Sequence, residues 1–294
     1  LSNNKELCYL DVSYTGFKNL DLSNNKNLRE LYINNSCITN LDLSNNKELK
    51  HLHANYTRIT NLDLSNNKSL LTLNVSNTGI KNIDLSNNID LECLNINNDD
   101  VKNLDLSNNK SLLTLNASNT GIKNIDLSNN KSLLTLNASN TGIKNIDLSN
   151  NTDLECLNIN NNDIKNIDLS NNKSLHTLNV SKTGIKNLDL SSNKLISHLY
   201  LSNNKYLKYI NASGTNITSL DLSNNKKLLS VDISNSRIAD LDLSYNTRLL
   251  FLNINNTCIT NLDLSNNKKL RKARIAGTDL KFPGILFKCI CNDN

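Results

Sequence analysis

A 21-residue phrase, L-D-L-S-N-N-K-x-L-x-x-L-N-[VAI]-S-N-T-G-I-K-N, returns about fourteen times along the 294 residues, and nothing else in the chain constrains its fold so strongly. Leu22-Ser23-Asn24-Asn25-Lys26 recurs at residues 43–47, 64–68, 106–110, 127–131 and 169–173. A fixed period this short means one supersecondary unit stacked on copies of itself, a solenoid. Such a chain offers surfaces rather than pockets, so the same feature points function toward binding.

One coil shows how the unit folds. From Leu70 the apolar positions are Leu70, Leu73, Val75, Ile80, Ile83 and Leu85, followed by Asn88. Their intervals spell L-x-x-L-x-L-x-x-[NT]-x-L twice, in half-turns of 10 and 11 residues. Each x-L-x-L-x core alternates inward and outward, the period of a half-buried strand. No stretch carries the 3.6-residue stripe of an amphipathic helix. The expectation is two short strands or extended segments per coil and little or no α-helix. A lone coil buries too little to offset the entropy of ordering it, so neighbours must supply the second contact face.

Two polar columns run along the stack. Asn25, Asn46, Asn67, Asn88, Asn109, Asn130, Asn151, Asn172 and Asn193 hold the ninth position of one half-turn. The other half-turn mostly has Thr or Ser there: Thr15, Ser36, Thr57, Thr78, Thr120 and Thr141. Polar groups facing a packed interior must find hydrogen bonds. An amide can donate and accept, joining the turn of its own coil to the next; the Asn column reads as a structural ladder.

These residues carry a resemblance. L-x-x-L-x-L-x-x-N-x-L is the leucine-rich-repeat signature, covering essentially residues 1 to 280, and the nested form with L-D-[LV]-S-x-N resembles the 21-residue class of bacterial surface proteins. The internalins of Gram-positive bacteria and secreted Bacteroidetes repeat proteins are examples. In several of those the other half reads L-x-C-S-x-N, with cysteine inward; here Val75, Ile96, Ala117, Ala138, Ile159 and Val180 hold that slot. The resemblance implies a right-handed leucine-rich-repeat solenoid with parallel strands on its concave side, and ligand binding, often adhesion.

The alternation has one break. Inward residues step by 10 and 11 as far as Leu190, and then Leu201 and Ala212 follow at 11 and 11. The phrase Leu199-Tyr200-Leu201-Ser202-Asn203-Asn204-Lys205 fuses the start of one half with the end of the other. Either a half-turn loops out near 190–212, exposing Ile196, Leu199 and Leu201, or winding continues with the two faces exchanged. Continued winding keeps every inward position buried. It places Leu201 above Val180 and Ala212 above Leu190. Residues 64–126 and 127–189 are also close copies, a duplication of three coils.

Composition narrows the function classes. Lys and Arg total 32 against 27 acids, a formal charge of +5; spread along a solenoid this is no clustered basic patch, so no nucleic-acid partner is expected. No run of apolar residues is long enough to insert in a membrane. The chain opens on Leu1-Ser2-Asn3-Asn4 in mid-repeat without a signal-like start, and holds no methionine, as a processed form or a fragment would. The seven cysteines form no disulfide framework. Cys93 and Cys156 fall three coils apart, about 14 Å at strand spacing and too far to bridge. Cys289 and Cys291 are the close pair.

Catalysis needs unlike residues converging in a pocket, and this repeat offers neither that nor a phosphate loop or a nucleophile motif; no enzyme activity and no cofactor is expected. His51 and His53 with Glu30 and Asp11 could meet a metal, but two solvated histidines explain them more simply; His198 with His176 is weaker, and no metal is assigned. The Asp column from Asp21 through Asp189 could be a calcium ladder; lysine compensation and side-chain hydrogen bonds explain it better. The Lys column through Lys26, Lys47 and Lys68 reads as a solvated face that protects sheet edges.

The outward strand positions are where a solenoid would recognise a partner. In the middle they repeat Thr72, Asn74, Ser76, Asn77, then Thr114, Asn116, Ser118, Asn119. The first coils instead present Tyr9, Asp11, Tyr14, Tyr32, His51, His53 and Tyr56, and a second aromatic group, His198, Tyr200, Tyr206 and Tyr209, sits at the phase break. Exposed aromatics among polar neighbours suit a protein or glycan ligand. The candidate ligand residues are therefore Tyr9, Tyr14, Tyr32, His51, His53 and Tyr56, with His198, Tyr200, Tyr206 and Tyr209 as a second patch. The expected role is a non-enzymatic binding module of adhesion type, extracellular or at a bacterial cell surface. A cytosolic interaction scaffold or effector, which free thiols would suit, and a structural spacer, which the uniform middle would suit, remain the alternatives. Residues 281–294, from Lys281-Phe282-Pro283 onward, break the repeat and are expected to cap the last coil or form a tail.

Overall fold

A computed structural model describes residues 1–280; the expected cap and the Cys289–Cys291 pair lie outside the described residues. The chain divides into two compact units, Leu1–Leu154 and Glu155–Asn294.

In the first unit, seven three-residue strands recur at 21-residue intervals: β1 (Tyr9–Asp11), β2 (Glu30–Tyr32), β3 (His51–His53), β4 (Thr72–Asn74), β5 (Cys93–Asn95), β6 (Thr114–Asn116) and β7 (Thr135–Asn137). They pair in chain order, all parallel, with like positions opposite like, as Leu31, Leu52 and Leu73 are. The central leucine of β2 to β7 points inward and is buried, while its two flanking residues stand outward and half-buried. Among the described residues there is no α-helix.

Of the two strands or extended segments expected in each coil, one is a paired strand. The L-D-L half of every coil in this unit is extended but unpaired, because its carbonyls are already engaged. Leu43 O accepts from Asn46 N at 3.0 Å and from Asn67 Nδ2 at 3.1 Å. Asn67, Asn88, Asn109 and Asn130 repeat this contact, each buried amide donating twice to the preceding coil; Asn109 reaches Leu85 O at 3.1 Å and Asn88 O at 2.8 Å. The amide oxygens of Asn67, Asn88 and Asn109 accept nothing. The ladder therefore ties each coil to its predecessor through its donors alone. Local turn bonds, such as Asn109 N to Leu106 O and Leu112 N to Asn109 O, occupy the amides an acceptor would need.

After each strand of this unit the chain turns through one residue with positive φ. In the first unit these are Tyr14, Asn35, Tyr56, Asn77, Asn98, Asn119 and Asn140, with φ between 52° and 58°. Asparagine tolerates this left-handed region better than other side chains. That explains the N in x-S-N-T.

The second unit holds β8 (Cys156–Asn158), β9 (Thr177–Asn179), β10 (Asn187–Asp189), β11 (His198–Tyr200), β12 (Tyr209–Asn211), β13 (Ser230–Asp232), β14 (Phe251–Asn253) and β15 (Lys272–Arg274). Here β9 pairs with β8 and β11, while β10 pairs with β12 and opens a separate sheet ordered β10-β12-β13-β14-β15. The register opposes Leu178 to Leu199 and Leu188 to Ile210. Winding is thus unbroken through the extra half-turn, and Ile196, Leu199 and Leu201 are all buried.

From there the halves exchange faces. The asparagine ladder on one face ends at Asn193, which donates to Leu169 O at 2.9 Å, and that face carries Thr215, Ser236 and Thr257 afterwards. On the other, Asn204 donates to Thr183 Oγ1, and Asn225 then donates to Leu201 O and Asn204 O. The positive-φ column moves likewise, from Lys182 and Asn203 to Gly214, Asn235, Asn256 and Gly277. β10 is an L-D-L segment that becomes a strand because the next coil brings a strand-forming half beside it.

The candidate recognition surfaces

On β1 to β3 the outward residues form two columns, Tyr9–Glu30–His51 and Asp11–Tyr32–His53. Strand spacing brings directly opposed side chains into contact and allows long ones to reach diagonally. The Tyr32 ring stacks on His53, with centroids 4.8 Å apart and planes 13° from parallel. Tyr9 lies diagonally at 5.5 Å and 42°. The Tyr32 hydroxyl donates to Glu30 Oε2 at 3.1 Å. Burial, and then this hydrogen bond, hold its pKa above the tyrosine norm. Burial pushes His53 below the histidine norm, with His51 adding to it, so the stacked ring is neutral at pH 7.

Tyr14 and Tyr56 flank this face in the turn after β1 and β3. Both have positive φ, 58° and 57°, at a position where the same unit otherwise uses asparagine. Both project into solvent, 81% and 56% exposed. A bulky side chain gains nothing from this backbone, and a left-handed conformation costs it about 1–2 kcal/mol. Of the first patch, Tyr9, Tyr32 and His53 touch ring to ring, His51 shares the strand face, and Tyr14 and Tyr56 stand at its turn edge.

The second patch does not stay together. His198 and Tyr200 lie on β11, in the sheet of β8 and β9, whereas Tyr209 lies on β12, in the other sheet. Tyr206 sits in the turn between them, under Lys227 Nζ at 4.9 Å from its ring. The face exchange separates them: residues 198–200 and 209–211 occupy successive halves of one coil. Sequence reasoning missed Phe251, Asp232 and Arg274, which share the sheet of Tyr209. The register Tyr209–Ser230–Phe251–Lys272 was readable only once the exchange was followed through all later coils.

The aspartate column is held by hydrogen bonds. Oδ1 of Asp42, Asp63, Asp84, Asp105 and Asp126 each accepts the backbone N–H of the serine two residues on, at 2.9 Å. Bonds from that serine lower each of these carboxyl pKa values. Among the described residues no group of three or more His, Cys, Asp or Glu is arranged to hold a metal ion. The five described cysteines, Cys8, Cys37, Cys93, Cys156 and Cys258, are free thiols.

One column residue departs from all the others. Asp99 stands where Thr57, Thr78 and Thr120 stand, and is 4% exposed. Its Oδ1 accepts from Thr78 N at 2.7 Å and Thr78 Oγ1 at 2.9 Å, and Oδ2 has no partner. Burial raises its pKa to about 6, against those two bonds.

Stacked 21-residue coils, parallel strands and a buried asparagine ladder define a leucine-rich-repeat solenoid. Among solved structures the chain is similar to the functional domain of InlJ from Listeria monocytogenes, described as including a cysteine ladder. The identity is 31% and the TM-score 0.68 over 92% of this chain and 63% of that one. It is also similar to the internalin InlF of Listeria monocytogenes, at 22% identity and TM-score 0.63 over 95% of this chain and 83% of that one. A leucine-rich-repeat protein of Leptospira interrogans resembles it in fold, at 17% identity and TM-score 0.52 over 95% of this chain and 92% of that one. The chain thus spans 63% of the InlJ domain. No protein-family model and no curated protein matches the sequence. In place of inward cysteines the chain has buried Val75, Ile96, Ala117 and Val180.

Proposed function

We propose that this protein is a non-enzymatic recognition module, secreted or displayed at a bacterial cell surface, that binds a protein partner through the aromatic face of β1 to β3. The likeness to internalins supports the setting. The observation that carries the reading is the pair Tyr14 and Tyr56, exposed side chains kept on a left-handed backbone that asparagine would fill at lower cost. Around them lie Tyr32 stacked on His53 and Tyr9 tilted against Tyr32, with Glu30 and Asp11 at hand. Aromatic anchors among polar groups are what the centre of a protein interface uses. The uniform Thr–Asn surface of β4, β6 and β7 lacks such anchors.

The test compares the wild type with the Tyr32→Ala/Tyr56→Ala double variant on arrays of extracellular proteins and of glycans. Loss of a protein partner by the variant, with thermal unfolding nearly unchanged, supports the reading. Equal capture by both, or capture of glycans alone, overturns it.

A further inference from the structure

The sheet that begins at β10 carries a surface unlike any on β4 to β9. Its two outward columns are Asn187–Tyr209–Ser230–Phe251–Lys272 and Asp189–Asn211–Asp232–Asn253–Arg274. Tyr209 and Phe251 stand two strands apart with the small Ser230 between them, leaving a notch. The notch is a depression of about 290 Å³ lined by Tyr209, Ser230, Phe251, Asp189, Asn211 and Asp232, among others. From this geometry we infer that it is a second binding site, one that takes a neutral saccharide ring.

Width is the first argument. Two interstrand spacings separate the aromatic residues by about 9.5 Å. A flat group wedged between two rings needs only about 7–8 Å, two carbon contacts of 3.5–4.0 Å. A puckered ring with C–H bonds on both faces is thicker and fits the gap better.

Charge is the second. Asp189 and Asp232 are balanced by Lys272 and Arg274 in the same two columns, so the surface selects neither an anion nor a cation. Arg274 is also drawn over the Phe251 ring, at 5.8 Å. The Asp232 carboxylate is already engaged: Oδ1 accepts from Ser234 N and Oγ, and Oδ2 from Asn253 Nδ2 at 2.9 Å. It is therefore a fixed rim rather than a counter-ion for a ligand. Among the described residues no hydrogen bond engages the hydroxyls of Tyr209 or Ser230, which leaves both to a ligand's hydroxyl groups.

This site is independent of the face on β1 to β3 and would stand if that reading fell. The test titrates the full chain with a panel of neutral oligosaccharides, each six residues long and built from glucose, N-acetylglucosamine, mannose or galactose, by calorimetry. A sialylated oligosaccharide and an oligolysine serve as charged comparators. We expect one neutral sugar to bind and each of Phe251→Ser and Tyr209→Ser to weaken it roughly tenfold, the order of one aromatic contact. Ser230→Phe, which fills the notch without opening a cavity, should abolish it, while Tyr32→Ala/Tyr56→Ala leaves it unchanged. Binding of none of the neutral sugars, preference for a charged comparator, or indifference to Ser230→Phe would overturn the inference.

Discussion

Asp99 makes the stability of the first unit depend on pH in an unusual direction. Other threonines of the column donate to the carbonyl three residues back, as Thr57 does to Ala54 O and Thr120 to Ala117 O, both at 2.8 Å. A carboxylate has no proton for the equivalent Ile96 carbonyl. Burial, opposed by the two Thr78 bonds, accounts for a pKa of about 6 against 3.8 for an ordinary aspartate, and protonation restores a donor. A folded-state pKa above the unfolded one means the folded state holds the proton more tightly. Stability from this residue is therefore complete below about pH 4, falls as pH rises through about 6, and is lower by about 2–3 kcal/mol at pH 7.5.

Asp99→Asn keeps the shape, the acceptor for Thr78 and a donor for Ile96 O; Asn162 in the same column donates to Ile159 O at 3.0 Å. Urea midpoints from pH 3 to 8 should show the variant more stable by about 2–3 kcal/mol at pH 7.5, with the gap closing near pH 4. Asp42, Asp63, Asp84, Asp105 and Asp126 work in reverse. Their lowered pKa values give stability that is present above about pH 4 and lost on further acidification. The wild type should thus be most stable near pH 4–5, and the variant should show a plateau above that. A pH-independent difference between the two would refute the assignment of the buried charge.

Replacing Tyr14 and Tyr56 by asparagine should raise stability by about 0.5–1 kcal/mol each, since asparagine accepts the left-handed backbone, while partner capture is lost; loss of both stability and capture would mean the rings are structural. Asn109→Leu removes one of the two donors from each of the Leu85 and Asn88 carbonyls, which keep the backbone N–H of Asn88 and Leu91, and should cost about 1–3 kcal/mol in urea unfolding, against less than about 1 kcal/mol for the exposed Asn108→Leu.

The repeat made the inside of this protein legible and left its outside only partly so. Inward positions are fixed by period alone: Leu73, Val75, Ile80 and Leu85 are each buried, because any other residue there would break contacts on both sides of its coil. Which of the two extended halves pairs as a strand was not legible, since Leu43 and its counterparts look like strand residues while their carbonyls serve the turn and the ladder. The acceptor half of the ladder amides was overread for a related reason. On the surface, Tyr9, Tyr32 and His53 could be grouped because neighbouring strands keep the same register. Tyr209 could not be placed with Phe251 by eye, since 42 residues separate them and the sequence nearby puts Tyr200 closer. Asp99 stood in plain view as a substitution in a threonine column, and the signal was the column rather than any motif.

The extra half-turn can itself be removed, which separates the sheets' contents from their placement. Deleting residues 194–204 joins Leu190-Ser191-Ser192-Asn193 to Lys205-Tyr206-Leu207 and restores the phrase L-D-L-S-x-N-K-x-L without a mismatch. Since both half-turn types supply the same inward spacing, every remaining apolar position stays buried. Repeat stacks behave as sums of neighbouring terms, so the loss of one half-coil should shift stability little. What changes is the neighbour of β9: β12 replaces β11, and Asn211 takes the place of Tyr200 opposite Asn179. With Asn179→Cys and Asn211→Cys installed, the two Cα atoms should lie about 5 Å apart in the deletion variant, within disulfide range. In the intact chain these residues belong to different sheets across the core. Peptide mapping after mild oxidation should therefore find the 179–211 crosslink in the deletion variant alone. A soluble, folded deletion variant without that crosslink would show that facing is set by something other than the count of half-turns.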